Sequence, residues 1–218
     1  MSKSTVSRIT RKLRKEFQSW QKRNLADFDV AYLFLDAIRV GMRMGGTGKD
    51  AVLVAYGILQ DGSMELLSVD LGQSESDRSW GKFVENLKAR GLRDPLMVCS
   101  DGNQGVINAI GSWFPTSYRQ RCLKHRFENI LDAVPKGDDQ ERVGKLLHSI
   151  FYGATSLEQA KIFAKKFQTA FRKEFPTAVT RLEADLDQCL GFLRTTGNEC
   201  EPQTSLNAST RKSGEGST

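Results

Sequence analysis

With 218 residues, 39% of them hydrophobic and 27% charged, the chain has the make-up of a soluble protein with length for one compact domain and appendages. No run of about eighteen apolar residues occurs, and the basic N-terminus lacks the apolar stretch of a signal peptide, so the sequence reads as neither membrane-spanning nor secreted. The formal net charge of +6 is unevenly spread and points to an anionic partner. Four cysteines (Cys99, Cys122, Cys189 and Cys200) form no C-x-x-C pair and read as reduced thiols of a cytoplasmic protein. Two histidines are too few for most zinc-hydrolase sites. Any bound metal must then be held by carboxylates, which favours magnesium or manganese.

Residues 1–25 carry eight Lys or Arg against the single acid Glu16. Val6, Ile9, Leu13, Phe17 and Trp20 recur at three- and four-residue steps, which predicts an amphipathic basic helix capped by Ser4 or Thr5. Such a face can be merely solvated, or can bind a membrane surface or a calmodulin-like groove. A second basic cluster further along the chain favours nucleic acid, with Arg8, Arg11, Lys12 and Lys15 as the phosphate contacts on this helix.

A β-rich block follows. Val30 to Val40 reads as a strand with one acid, Asp36, set in an apolar run. Burying a lone carboxylate is expensive, so Asp36 is expected to be paired with an arginine such as Arg39 or Arg43, protonated, or coordinated. Gly45 to Gly48 makes a loop, Ala51 to Leu59 a second strand, and Asp61-Gly62 turns the chain into a third over Met64 to Leu71. A helix is predicted around Trp80, Phe83, Val84 and Leu87, ending near Gly91. Residues 95–100 then form a fourth strand, which delivers Asp101 at its C-terminal edge in the run Ser100-Asp101-Gly102. Val106, Ile107, Ala109 and Ile110 mark the next helix, and after Pro115 comes the second basic segment, predicted as a helix. Its Arg119, Arg121, Lys124 and Arg126 would position a phosphate backbone.

Three hairpin-linked strands, a helix, a strand ending in an acid and another helix follow the order of the ribonuclease-H-like fold, of the retroviral-integrase type. In that α/β fold the first and fourth strands of a mixed sheet lie side by side, so Asp36 and Asp101 would meet. From 127 to 194 the apolar spacing turns wholly helical: Ile130, Leu131 and Val134; Val143, Leu146, Leu147 and Ile150; Phe163, Phe167 and Phe171; then Val179, Leu182 and Leu186 after a break at Phe175-Pro176. The expected organisation is a basic helix at 1–25, a catalytic core at 26–126 and an all-helical insertion at 127–194. Residues 195–218 hold only Cys200, Leu206 and Ala208 as apolar side chains and are expected to form a mobile tail.

Three motifs taken together resemble the bacterial Mutator-type insertion-sequence transposases. They are Tyr32-Leu33-Phe34-Leu35-Asp36-Ala37, Ser100-Asp101-Gly102-Asn103-Gln104-Gly105, and Phe114-Pro115 through Gln120-Arg121-Cys122-Leu123-Lys124-His125 with Arg126 and Asn129. The resemblance covers about residues 5 to 194. It implies a DDE recombinase, in which two aspartates and a glutamate hold two divalent ions, Mg2+ or Mn2+. Asp36 would bridge both ions and Asp101 would complete one of them. Cys122 and His125 occupy the family's C/D-x-x-H position, although a core cysteine and a helix-surface histidine would also satisfy it. A zinc role has no second pair of ligands to support it. The expected substrates are double-stranded DNA at the element's terminal inverted repeats and the target DNA. The expected working form is a homo-oligomer, acting on the bacterial nucleoid without a membrane.

The third acid is the open point. The family continues into an Arg-Thr-Thr-Asn-x-x-Glu motif, whereas here Arg194 runs into Thr195-Thr196-Gly197-Asn198-Glu199-Cys200-Glu201, with one extra glycine. Glu201 is the candidate third catalytic and metal-binding residue. Two readings follow: a transposase that cleaves and joins DNA with Asp36, Asp101 and Glu201, or a truncated, inactive remnant that binds DNA or a full-length transposase. A stand-alone nuclease of the same fold is a third, opposed by the basic N-terminal helix and the C-x-x-H position.

Overall fold

The structure, a computed structural model, describes residues 2–39, 51–72 and 77–195. Its first element, α1 (Lys3–Gln21), starts two or three residues earlier than the sequence predicts, because the Ser2 hydroxyl accepts the Thr5 N–H at 3.3 Å and caps it. None of its residues is buried: Val6, Ile9, Leu13 and Phe17 are 43–59% exposed, so the apolar stripe exists but packs against nothing described. The helix is tethered only where it ends. There Arg23 lies 4.6 Å over the Trp20 ring and pairs with Glu65 at 2.9 Å, and Leu25 is fully buried.

Five strands form one mixed sheet in the described residues: β1 (Val30–Arg39), β2 (Ala51–Leu59), β3 (Met64–Gly72), β4 (Met97–Ser100) and β5 (Tyr118–Arg121). Their order is β3-β2-β1-β4-β5, antiparallel through the two hairpin pairs and parallel for β1 with β4 and β4 with β5. This is the ribonuclease-H-like arrangement, with flanking helices and an all-helical addition. The β2–β3 turn is closed by Asp61, whose Oδ1 accepts from Ser63 N at 2.8 Å and Ser63 Oγ at 2.6 Å, while Gly62 adopts a φ of 83° that favours glycine.

Period-two alternation sets which face of the sheet is covered. On β1, Leu33 and Leu35 are buried while Tyr32 and Phe34 on the other face are only half-buried. On β2, Ala51, Leu53 and Ala55 are buried and Val52, Val54 and Tyr56 are not. The buried face receives α2 (Asp77–Ala89) through Trp80, Phe83, Val84 and Leu87, and α3 (Gln104–Trp113) through Val106, Ala109 and Ile110.

The second basic segment differs from its prediction as one helix. Tyr118 to Arg121 form the edge strand β5, and α4 (Leu123–Leu131) begins only after Cys122. Tyr-Arg-Gln-Arg carries no apolar alternation; its place is set by pairing to β4 and by Gln120. That side chain is 5% exposed, donates to Cys189 O at 2.9 Å and accepts from Phe192 N at 2.9 Å. A long-range polar anchor overrides the local pattern here.

Helices continue as α5 (Asp138–His148), which runs into a π-helical turn at Ser149–Gly153, then α6 (Leu157–Phe171), α7 (Pro176–Ala184) and the short α8 (Leu186–Cys189) and α9 (Phe192–Thr195). They enclose a second hydrophobic core, separate from the first, around Ile130, Leu147, Phe151, Phe167 and Leu182. The helical run expected at 127–194 is therefore an independent packing unit seated on the β5 edge.

Candidate active site

Asp36 and Asp101 come to the same edge of the sheet. The last paired rung of β1 and β4 joins Leu35 to Ser100, and the next step along both parallel strands is Asp36 beside Asp101. Neighbouring strands lie about 4.8 Å apart, so the two carboxylates share the C-terminal edge where open α/β sheets hold their ligands.

Their settings differ. Asp36 is exposed, where the sequence suggested a buried acid in an apolar strand. It falls on the same face of the sheet as Phe34, opposite the buried Leu33 and Leu35, and is accessible to solvent. Its Oδ1 accepts the N–H of Ala37 at 2.9 Å. Arg43 and the Arg39 side chain lie outside the described residues. Asp101 is half-buried, and its Oδ1 accepts Asn103 N at 2.9 Å, which folds the loop back on itself before Asn103 caps α3. Beneath it the buried Ser100 hydroxyl donates to Asp101 O at 3.1 Å.

Around these acids the open face carries a polar and aromatic cluster. Phe34 stacks on Tyr56 at 4.7 Å with ring planes 4° apart. The Tyr56 hydroxyl is pushed up in pKa by burial first, and then by Cys99, Cys122 and Asp36. Cys122 continues β5 beside the acid loop, its N–H donating to Ser100 O at 2.7 Å, and it stands at the N-terminus of α4. The neighbouring Cys99 thiol holds the Cys122 pKa well below the usual thiol range, at about 5. The backbone N–H groups of His125 and Lys124 and the charge of His125 add to this, and burial opposes it. Cys99 is pushed up in turn, by Cys122 and by burial. The C-x-x-H spacing thus brings Cys122 to the helix N-terminus and His125 one turn on, while its thiol partner Cys99 carries no motif in the sequence. All three described cysteines are free thiols.

The expected DNA-contacting residues divide. Arg8, Arg11, Lys12 and Lys15 on α1 are all exposed, and Lys12 makes only a long 3.8 Å pair with Glu16. Lys124 is also exposed, 3.9 Å from Glu128. Arg119 is half-buried and donates to Gln188, and its pKa is lowered by burial. Arg121 and Arg126 are buried, and both are ion-paired to Asp185, so in this structure they face a protein carboxylate where a DNA phosphate was expected.

Glu201 lies outside the described residues. Two carboxylates with hard oxygen donors suit a magnesium- or manganese-type ion, but an octahedral ion takes about six ligands. Among the described residues no group of three His, Cys, Asp or Glu side chains stands together to hold a metal. None of the described helices is long and apolar enough to cross a membrane. The best-formed cavity, about 240 Å³ and lined by Thr116, Arg119, Gln188 and Arg194 among others, opens at the start of β5, away from both acids.

Comparison with known proteins adds identity to this geometry. The family model described as "Transposase, Mutator family" matches residues 1–212. The chain is 31% identical to the transposase for insertion sequence element IS6120 of Mycolicibacterium smegmatis, over 89% of the chain and 59% of that protein. It is 33% identical to the transposase for ISRM5 of Rhizobium meliloti, over 88% of the chain and 48% of the relative. It is 34% identical to the transposase for IS256 in transposon Tn4001 of Staphylococcus aureus, over 62% of the chain and 35% of the relative. The chain thus spans about half the length of the curated relatives it matches.

Proposed function

Because the chain belongs to the Mutator family of transposases, we propose that it is the ribonuclease-H-like part of a transposase, a DNA-binding platform that presents two of the three metal-binding carboxylates. Asp36 and Asp101 are those two. The observation that carries this is the parallel β1–β4 register, in which Leu35 and Ser100 are the last pair before both acids. By itself this stretch binds DNA, or joins a full-length transposase on DNA, without cleaving it. The described residues offer no third acid to complete a metal site, which favours that reading.

Asp36 and Asp101 would hold a divalent ion, which would supply Lewis-acid activation of water or of a DNA 3′-hydroxyl and charge neutralisation at the leaving oxygen. The protein's contribution is positional. The Ala37 and Asn103 amides orient Asp36 and Asp101, the exposed cations of α1 and Lys124 hold the phosphate backbone, and the uncovered sheet face with Phe34 and Tyr56 lies beside the acids. Substrates are the ends of an insertion sequence and the target duplex, with Mg2+ or Mn2+ as the ion and a protein oligomer bridging two ends.

Nicking of end-labelled inverted-repeat DNA, with and without Mg2+, tests the reading alongside DNA retention on the same samples. The account expects retention without Mg2+-dependent nicking. Nicking that is abolished equally by Asp36→Ala, Asp101→Ala and Glu201→Ala would instead establish Glu201 as the third ligand and the chain as a complete catalyst. Failure to retain DNA at low salt would contradict the proposal outright.

A further inference from the structure

We propose that Asp185, in the helical segment, is a positioning residue for the loop that carries Asp101, acting through Arg121. The inference rests on the reading of Asp101 as a metal ligand and extends it to residues that the chemistry does not touch.

Three charged side chains make the connection. Asp185 sits between α7 and α8 with 17% of its side chain accessible. Its Oδ2 accepts a hydrogen bond from Nε of Arg121 at 3.0 Å, and its Oδ1 is ion-paired with Nη2 of Arg126. The two arginine side chains are 8% and 9% accessible, and Arg126 also donates to the Arg181 carbonyl of α7. Two cations thus share one anion in the protein interior. Such a cluster is retained only with close geometry, and removing its single acid leaves two unbalanced charges.

What ties the cluster to the site is Gly102, the residue after Asp101. A Cβ placed there would lie 2.6 Å from Nη2 and 2.7 Å from Cζ of Arg121. The guanidinium therefore packs on the Gly102 backbone on one side and is held by Asp185 on the other. Arg121 is also the last residue of β5, paired with Ser100 across the sheet. A side chain from the helical segment in this way braces the Ser100–Asn103 turn, whose inner bond is Asn103 N to Asp101 Oδ1. Nothing comparable braces Asp36 in the described residues, where the carboxylate holds only its neighbouring amide. The helical segment is then more than a spacer: its seat on β5 sets where one of the two acids stands.

The experiment uses the full chain and two independent readouts, amide hydrogen exchange of the peptide spanning 100–104 and Mn2+ affinity by calorimetry. Asp185→Asn should speed exchange in 100–104 and weaken Mn2+ about tenfold or more, the range for outer residues that orient metal ligands. Asp185→Glu should restore part of both. Exchange in the α6 core around Phe167 should stay slow. Gly102→Ala, which pushes the Arg121 head away without removing a charge, should reproduce the local effect and serves if Asp185→Asn does not fold. Unchanged exchange at 100–104 in folded Asp185→Asn or Gly102→Ala protein overturns the proposal. So does loss of protection spread evenly over the second core, the mark of a merely structural role. If the wild type binds no Mn2+, the metal reading fails, and the exchange measurement alone still decides whether Asp185 braces the loop.

Discussion

The two basic clusters of this chain look alike in sequence and have opposite fates in the fold. On α1, Arg8, Arg11, Lys12 and Lys15 are all exposed, on a helix that buries nothing. In the segment 119–126, Arg121 and Arg126 are buried against Asp185, Arg119 bonds to Gln188, and only Lys124 is fully exposed. Local charge density is therefore a poor guide to where a phosphate can bind. One cluster is an electrostatic surface; most of the other is internal structure that joins the sheet to the helices.

The largest effect that separates them should be on stability. Arg126→Ala removes a buried side chain together with its pairing to Asp185 and its hydrogen bond to the Arg181 carbonyl, and should destabilise the fold by about 1.5–3 kcal/mol, read as a denaturant midpoint shift. Arg11→Ala, on the exposed helix, should stay within about 0.5 kcal/mol of wild type. Equal shifts for the two would break the comparison.

DNA binding should show the reverse. Neutralising Arg8, Arg11, Lys12 and Lys15 together to Gln should lower the slope of log affinity against log salt by about 3 to 4 if each meets a phosphate, with the thermal midpoint unchanged. An unaltered slope would make α1 a solvated face only. Lys124→Gln is a smaller version of the same test, with an expected slope change of about 1.

The least energy is at stake at Cys122. Its pKa is lowered to about 5, chiefly by the neighbouring Cys99 thiol, whereas burial pushes Cys189 up to about 12. A lowered thiol pKa means that the thiolate persists as pH falls from neutrality and is lost only near 5. Iodoacetamide at neutral pH should therefore label Cys122 ahead of Cys99 and Cys189, with the rate holding until the pH nears that value. Cys99→Ala, which removes the neighbouring thiol, should slow the labelling near neutrality. Equal labelling of the three thiols would contradict a lowered Cys122 pKa.

Much of the sheet was legible in the sequence, because period-two burial writes itself into β1 and β2 and the Asp61-Gly62 turn fixes their partner β3. The neighbouring strand ends of Asp36 and Asp101 followed from the order of elements. The edge strand β5 was not legible, since Tyr118-Arg119-Gln120-Arg121 has no apolar period and is placed by hydrogen bonds to residues near 190. Nor was the Asp185 cluster, in which Asp185 lies 64 positions beyond Arg121 in the chain. Asp36 shows a subtler gap: the run around it is apolar, but one face of that strand is uncovered, so the acid is exposed. Sequence alternation reports that a strand has two faces, not which of them another element covers.

The central claim, that Asp36 and Asp101 together form the metal-binding edge of a DNA-binding core, is tested most directly by Mn2+ calorimetry on wild type, Asp36→Asn and Asp101→Asn, each checked for DNA retention. Either substitution is expected to abolish measurable Mn2+ binding while salt-sensitive DNA binding persists. Mn2+ affinity that survives either change would show that the two acids do not share an ion, and the shared metal edge would have to be abandoned.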